Sequence, residues 1–442
     1  MLSTAAVHGA DIPARPVRPR LRISAALVLA AGTVLVLAGC SGPSGNARVD
    51  AVDAGGDGTL RIGLMLDNTG KQSFLNSSQL AAAKLAVQEI NAAGGHKGRP
   101  VELLPENISE DTTAQAKELV TAKADVVIGP TDSSRAPGAI DVLSRARVAV
   151  ISPANTAHGL TRYRSGGYYF RTSAADVAQA PVLVKLAKDA GARTIAILHE
   201  DGLYGKDVSV AVAAAAKAAG LGTVAEIGFT AGQAQQAAAA AKAAGPDAVV
   251  LAARAGAQGA IAELNNVGLA GSKLILSDGA INQYGSALGS KALEGARGIL
   301  PGVFPSAHFQ GELVAVDPGL KDMTFAAETY DAVNLAAIAA AAAQDDAGSS
   351  IAAHLVAVSG QGGRGAAETD TAQTGTVLPC KSYKDCTDAI KAGNPANYDG
   401  ESGPIGFDTN GDITAANYMV FTYGADNRAR MSGSETAARS GG

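Results

Sequence analysis

A repeated alternation of short apolar runs with helical periods constrains this chain more than any other feature. Apolar runs at 60–66, 101–104, 125–128 and 148–152 are separated by helical patterns at 77–92, 112–122 and 136–144. The order then begins again. A helix at 178–190 leads into strands at 194–199, 224–229, 247–251 and 273–276, with helices at 208–219, 233–244 and 258–267 between and around them. Strands that are apolar throughout, rather than at every second residue, belong to parallel sheets covered on both faces. Their alternation with helices makes them βαβ units. Two such series predict an α/β protein with two Rossmann-like lobes. Beyond them the pattern is less regular: a strand at 298–303, helices at 325–343, 351–358 and 387–391, and a hairpin turning at Asn410-Gly411 between 406–408 and 417–423.

The N-terminus reads as an address. Arg15, Arg18, Arg20 and Arg22 precede an uncharged apolar run at 23–37, which is too short for a stable span and suits a signal peptide. It ends in Leu37-Ala38-Gly39-Cys40, which resembles a bacterial lipoprotein cleavage site, with Cys40 as the acylated first residue. Residues 1–39 are then the leader, and 40–58, rich in Gly, Ser and Asp, a flexible tether. The expected location is outside the cytoplasm, lipid-anchored to the outer face of the cell membrane. Export also favours pairing Cys380 with Cys386, six residues apart, as a disulfide in a surface loop. The net charge of −5 and the lack of a basic run beyond the leader argue against a nucleic-acid partner.

Motifs for chemistry are few. Gly360-Gln361-Gly362-Gly363-Arg364-Gly365 has dinucleotide-site spacing but lacks the strand before it and the helix after it, so it reads as a loop. Asp408-Thr409-Asn410-Gly411-Asp412 begins like a calcium loop but lacks the closing Glu, and reads as a turn. The six His are scattered, so no metal cluster, cofactor or catalytic residue is expected. The informative places are the loops at the carboxyl ends of the strands, where open α/β sheets bind ligands. Residues 129–134 and 153–156 offer hydroxyls and backbone N–H groups near helix starts; Asp201, Tyr204 and Asp278 offer an aromatic ring and carboxylates from the second series. Simple helix capping and turn formation account for each loop taken alone.

Together, IGLMLDNTG (62–70), AVQEINAAGG (86–95), DVVIGP (125–130), ISPANT (151–156), YYFRTSAAD (168–176), EDGLYG (200–205), LSDG (276–279), TYDAVNLAA (329–337) and SGPIGFDTNGD (402–412) resemble the type I periplasmic binding proteins, in the leucine/isoleucine/valine-binding branch that serves ABC importers. The resemblance implies two lobes joined by three crossovers, near 171–176, 301 and 394–399. Lobe 1 would be 60–172 with 302–395, and lobe 2 would be 173–301 with 396–430, leaving 431–442 as a disordered tail. It implies a monomer that captures an amino acid or close analogue between its lobes and delivers it to an ABC permease. The alternatives are a sensory receptor of the same fold, or a binder of amides or organic acids. Carried over residue by residue, Ser133, Ala154 and Thr156 take the ligand carboxylate, Tyr204 is the lid, Asp278 takes the ammonium, and Phe74 stands near an expected first-loop tyrosine. Asp132 and Arg254 make the side-chain pocket polar where the family has other residues, which leaves the ligand's side chain open.

Overall fold

The computed structural model describes residues 45–50, 54–66, 73, 75–107, 109, 111–289, 291–360 and 378–438. The leader, Cys40, Phe74 and most of the Gly360–Gly365 loop lie outside these residues.

The first series folds as β1 (Arg61–Leu64), α1 (Asn76–Ala92), β2 (Glu102–Leu103), α2 (Thr112–Thr121), β3 (Val126–Ile128), α3 (Ala136–Arg145), β4 (Ala149–Ser152) and β5 (Tyr169–Arg171). These strands form a parallel sheet in the order β2-β1-β3-β4-β5. Both faces are covered. Ile62, Leu64, Val126 and Ile128 point into one core, whereas Val127 and Val150 point into another beneath α2 and α3. Asp111 caps α2 by accepting the Ala114 N–H at 3.0 Å, and α3 carries Pro137 in its first turn, where no N–H is missed.

The second series is α4 (Ala180–Asp189), β6 (Thr194–Glu200), α5 (Leu203–Ala218), β7 (Gly222–Phe229), α6 (Gln235–Ala244), β8 (Ala248–Ala252), α7 (Ala257–Asn266), β9 (Leu274–Leu276) and β10 (Arg297–Pro301). The rest is α8 (Ala307–Val316), α9 (Ala326–Ala343), α10 (Gly348–Val358), β11 (Leu378–Cys380), α11 (Tyr383–Lys391), β12 (Ala396–Gly400), β13 (Gly403–Pro404), β14 (Ala415–Tyr423) and β15 (Ala429–Ala438). The second sheet runs β15-β14-β10-β9-β8-β6-β7. Its parallel part repeats the strand order of the first sheet, and β14 and β15 extend it antiparallel. Helices α8 to α11 return to the first core, where α9 is buried along most of its length.

The structure differs from the sequence reading at several points. The small β11-β12-β13 sheet packs on the first core through Ala396, Tyr398, Ile405 and Phe407, so the chain recrosses at 405–414 rather than at 394–399. Residues 431–438 are strand, not tail; they pair with β14 by backbone, helped by the Ser432 and Thr436 hydroxyls, so no apolar pattern announces it. The turn at Asn410-Gly411 closes on a single bridge between Phe407 and Ile413, and the long hairpin is β14-β15 instead. The Cys380–Cys386 disulfide is formed, but both residues are buried in the first core, with Cys386 inside α11.

The described part of the segment read as a tether is docked. The N–H groups of Gly55, Gly56, Asp57 and Gly58 donate to the Asp345 and Asp346 carboxylates at 2.9–3.2 Å. A Cβ on Gly56 would stand 2.4 Å from Asp346 Oδ1, so glycine is what lets the backbone approach.

Candidate functional site

The carboxyl ends of β3 and β4 bring Ser133, Ala154 and Thr156 together. Ser133 Oγ accepts the N–H groups of Thr156 at 3.2 Å and Ala157 at 3.3 Å. Ser152 Oγ donates to Pro130 O at 2.7 Å and accepts the Asn155 N–H at 3.0 Å, while the Asn155 amide donates to Thr131 O at 3.0 Å. The two loops therefore form one rigid shelf of hydroxyls and N–H groups, with Ala154 buried in it. Asp132 turns back on its own loop and accepts from Ser134, 2.7 Å from both N and Oγ.

Buried Arg171, at the end of β5, fastens this shelf to the last crossing. Its guanidinium donates to both Asp412 oxygens at 2.7 and 2.8 Å, to Thr161 Oγ1 at 2.7 Å, and to the carbonyls of Asn155 and Ala157 at 3.1 and 2.9 Å. Each of its five N–H donors has an acceptor.

The second sheet supplies Tyr204 and Asp278. Helix α5 starts at Leu203, five residues before the sequence pattern suggests, so Tyr204 stands in its first turn rather than in a loop. The cause is Gly202, whose φ of +132° allows a sharp entry. The Tyr204 hydroxyl donates to Asp278 Oδ1, accepts the Gly279 N–H at 3.1 Å and lies 2.9 Å from the Ser277 hydroxyl. Burial, and then the Asp278 charge, hold the Tyr204 hydroxyl neutral far above the usual phenol range.

Three residues join these halves. Gln179, on the first crossing, clasps Asp278: its amide nitrogen donates to Oδ1 at 2.7 Å, and its oxygen accepts the Asp278 N–H at 3.0 Å. Asp176, on the same crossing, donates its N–H to Thr156 O at 2.7 Å. Its buried carboxyl is pushed up to about 7, first by burial and next by the charge of Asp278, with Arg254 and the Thr156 hydroxyl acting the other way. Arg254 follows β8. Its guanidinium lies 3.9 Å above the Tyr204 ring centroid, with Nη2 3.4 Å from both Asp176 oxygens. The Thr156 hydroxyl, expected to take a ligand carboxylate, also acts on the Asp176 carboxyl and favours its charged form. Neither Asp176 nor Gln179 was expected here; Asp176 was visible in YYFRTSAAD, but read only as marking a crossover.

The arrangement can hold a zwitterion. Asp176 and Asp278 attract a cation, and the Ser133 hydroxyl, whose oxygen accepts the Thr156 and Ala157 N–H groups, keeps its proton for an anion. Among the described residues, no group of three or more His, Cys, Asp or Glu is placed for a metal ion. A separate cavity lies where the three crossings meet, lined by Thr172, Gly302, Glu328, Ser402, Ile413 and Asn417. Burial there pushes the Glu328 carboxyl up to about 7.

A family model described as a periplasmic binding protein matches residues 59–380. The leucine-, isoleucine-, valine-, threonine- and alanine-binding protein of Pseudomonas aeruginosa is 32% identical over 180 residues, 39% of this chain and 48% of that protein. This chain spans about half the length of the curated relatives it matches. The crystal structure of the branched-chain amino acid transporter substrate-binding protein LivJ of Streptococcus pneumoniae, in complex with isoleucine, shares the fold with TM-score 0.56 and 22% identity, over 86% of this chain and all of that one. So does a solute-binding protein of an ABC transporter from R. palustris in complex with benzoate, with TM-score 0.56 and 20% identity, over 87% of this chain and 98% of that one.

Proposed function

This chain belongs to the periplasmic binding protein family, and from that premise we propose that it is an extracytoplasmic, lipid-anchored solute-binding protein. It captures an α-amino acid or close analogue and delivers it to an ABC permease. The two sheets with their cores are the lobes, and the three crossings are the hinge. Ligand bridges the lobes and stabilises the closed form. Its carboxylate lies on the Ser133–Thr156 shelf, and its ammonium lies between Asp278 and Asp176. The protein acts as a monomer, without catalysis or cofactor, and Cys40 carries the acyl anchor.

The observation that carries this reading is that the Gln179 amide, donating to Asp176 O at 2.8 Å and to Asp278 Oδ1 at 2.7 Å, holds the two acidic residues together beside the Ser133 loop. Asp176 is buried and Asp278 half-buried, and Arg254 offsets Asp176 only from 3.4 Å and half exposed, so an ammonium adds the compensation they lack. A second reading, an organic acid without an ammonium, draws on Arg254, whose charge already partly offsets Asp176. A thermal-shift screen of amino acids, amides and small carboxylates separates them. Ligand at 100 times its dissociation constant raises stability by about 2.7 kcal/mol. A response confined to carboxylates without an ammonium rejects the amino-acid reading, and no response from any of them rejects both.

A further inference from the structure

Residues 45–50, which begin five residues after Cys40, are held on the body. The Ala47 N–H donates to Gly166 O at 2.8 Å. Arg48 donates to Tyr169 O, and to Asn410 O at 2.7 Å, and its guanidinium lies 4.7 Å from the Phe170 ring centroid. Burial lowers that guanidinium to about 10. Gly167 has no Cβ, and one placed there would stand 2.4 Å from Asn46 Oδ1. Residues 45–50 are therefore a docked arm.

This fixes where an anchor attaches. At ~3.5 Å per residue, the segment from Cys40 to Gly45 reaches at most ~18 Å, too short to let the molecule tumble freely above a bilayer. The surface around the arm has a matching character. Arg162 and Arg164, just before Gly166, are exposed and make no ion pair among the described residues. Arg147 is exposed too, and its charge acts on the Tyr168 hydroxyl, as does that of Asp50 on the arm. Val49, between Arg48 and Asp50, is 69% exposed, an apolar side chain turned to solvent. A chain of net charge −5 thus presents three arginines and an exposed valine, alongside the single arm carboxylate of Asp50, where its tether begins.

We propose that this face, comprising Arg147, Arg162, Arg164 and Val49 around the docked arm, lies on the membrane and binds anionic lipid headgroups. The proposal rests on the Cys40 anchor. The lipid on Cys40 holds the chain at the bilayer, and a basic patch beside it adds attraction to anionic headgroups. Headgroup contact sets the orientation of the body above the bilayer.

The test uses the full acylated chain, its Cys40 mass verified, in phosphatidylcholine vesicles with and without phosphatidylglycerol. Phenylglyoxal modification of each arginine is followed by mass spectrometry, with exposed Arg193 as the reference. Arg147, Arg162 and Arg164 are expected to react about fivefold more slowly on the anionic vesicles, and the protection is expected to vanish in about 0.5 M salt. Arg48→Ala, which frees the arm, removes most of the protection while the protein stays bound through its acyl chain. Equal rates on both vesicle types overturn the proposal, and protection that survives Arg48→Ala overturns the role of the arm. An unacylated Cys40 overturns both the anchor and this surface.

Discussion

Arg171 and Asp176 stand on the same crossing between the sheets, and both are buried, yet their charges are met very differently. Arg171 spends all five donors on well-placed acceptors, and its carboxylate partner Asp412 lies at 2.7 Å. Asp176 has one ion pair among the described residues, with half-exposed Arg254 at 3.4 Å, and the charge of Arg171 helps it from farther off. Burial, and next the charge of Asp278, push its carboxyl up to about 7. A buried charge with complete partners fixes a fold; one with incomplete partners is poised to take a ligand. Five residues of one segment separate the two roles.

Breaking the complete network carries the largest expected effect. Arg171→Met leaves Asp412 buried beside apolar groups, and should destabilise the protein by about 3–5 kcal/mol. Urea unfolding measures this, and Arg171→Met with Asp412→Leu should regain part of the loss. A loss under about 1 kcal/mol for the single variant would erase the contrast.

Breaking the incomplete network should spare the fold and damage binding. Asp278→Ala removes a charge-assisted hydrogen bond worth ~1.5–3 kcal/mol, so an amino acid ligand should bind ~10-fold to ~150-fold more weakly by calorimetry. Unfolding midpoints should stay near those of the parent.

Asp176 sharpens the comparison through pH. Its folded pKa, about 7, lies above the usual unfolded value near ~3.9. The folded state therefore holds the proton longer, and stability from this group is full at low pH and falls as pH rises through that window. Asp176→Asn does not titrate. The variant should gain on the parent as pH rises from about 4 to about 7, by the order of 1 kcal/mol, while binding more weakly. A gain that shrinks with rising pH contradicts the environment assigned to Asp176. The smallest effect belongs to Thr156→Ala. The Ser133 hydroxyl remains to donate, so a loss of about fivefold in affinity is expected.

How far the fold could be read from sequence follows from the same physics. Apolar runs such as 125–128 and 194–199 announce buried parallel strands because both faces must be covered. Strand β15 could not be read, because Met431 to Ala438 joins the sheet through backbone pairing with β14, and most of its side chains face water. The docked segments before Leu60 look like a linker by composition. Their glycines in fact permit close approach to Asp345 and Asp346, a reason that composition does not disclose. In the site, Ser133, Thr156, Tyr204 and Asp278 are legible because they end strands of the two series. Gln179 and Asp176 are not, because a crossing has no periodicity to mark its inward side. Any polar residue there must nonetheless lie near the cleft, and that was the available signal.

The central claim is that Asp176 and Asp278 await an ammonium, and one pair of titrations tests it most directly. Take the amino acid that binds tightest and its 2-hydroxy-acid counterpart, which keeps the carboxylate and side chain but carries no cation. Calorimetry on the parent should find the hydroxy acid weaker by at least ~10-fold, and on Asp278→Ala the gap should close. A hydroxy acid that binds the parent as tightly as the amino acid would contradict the account.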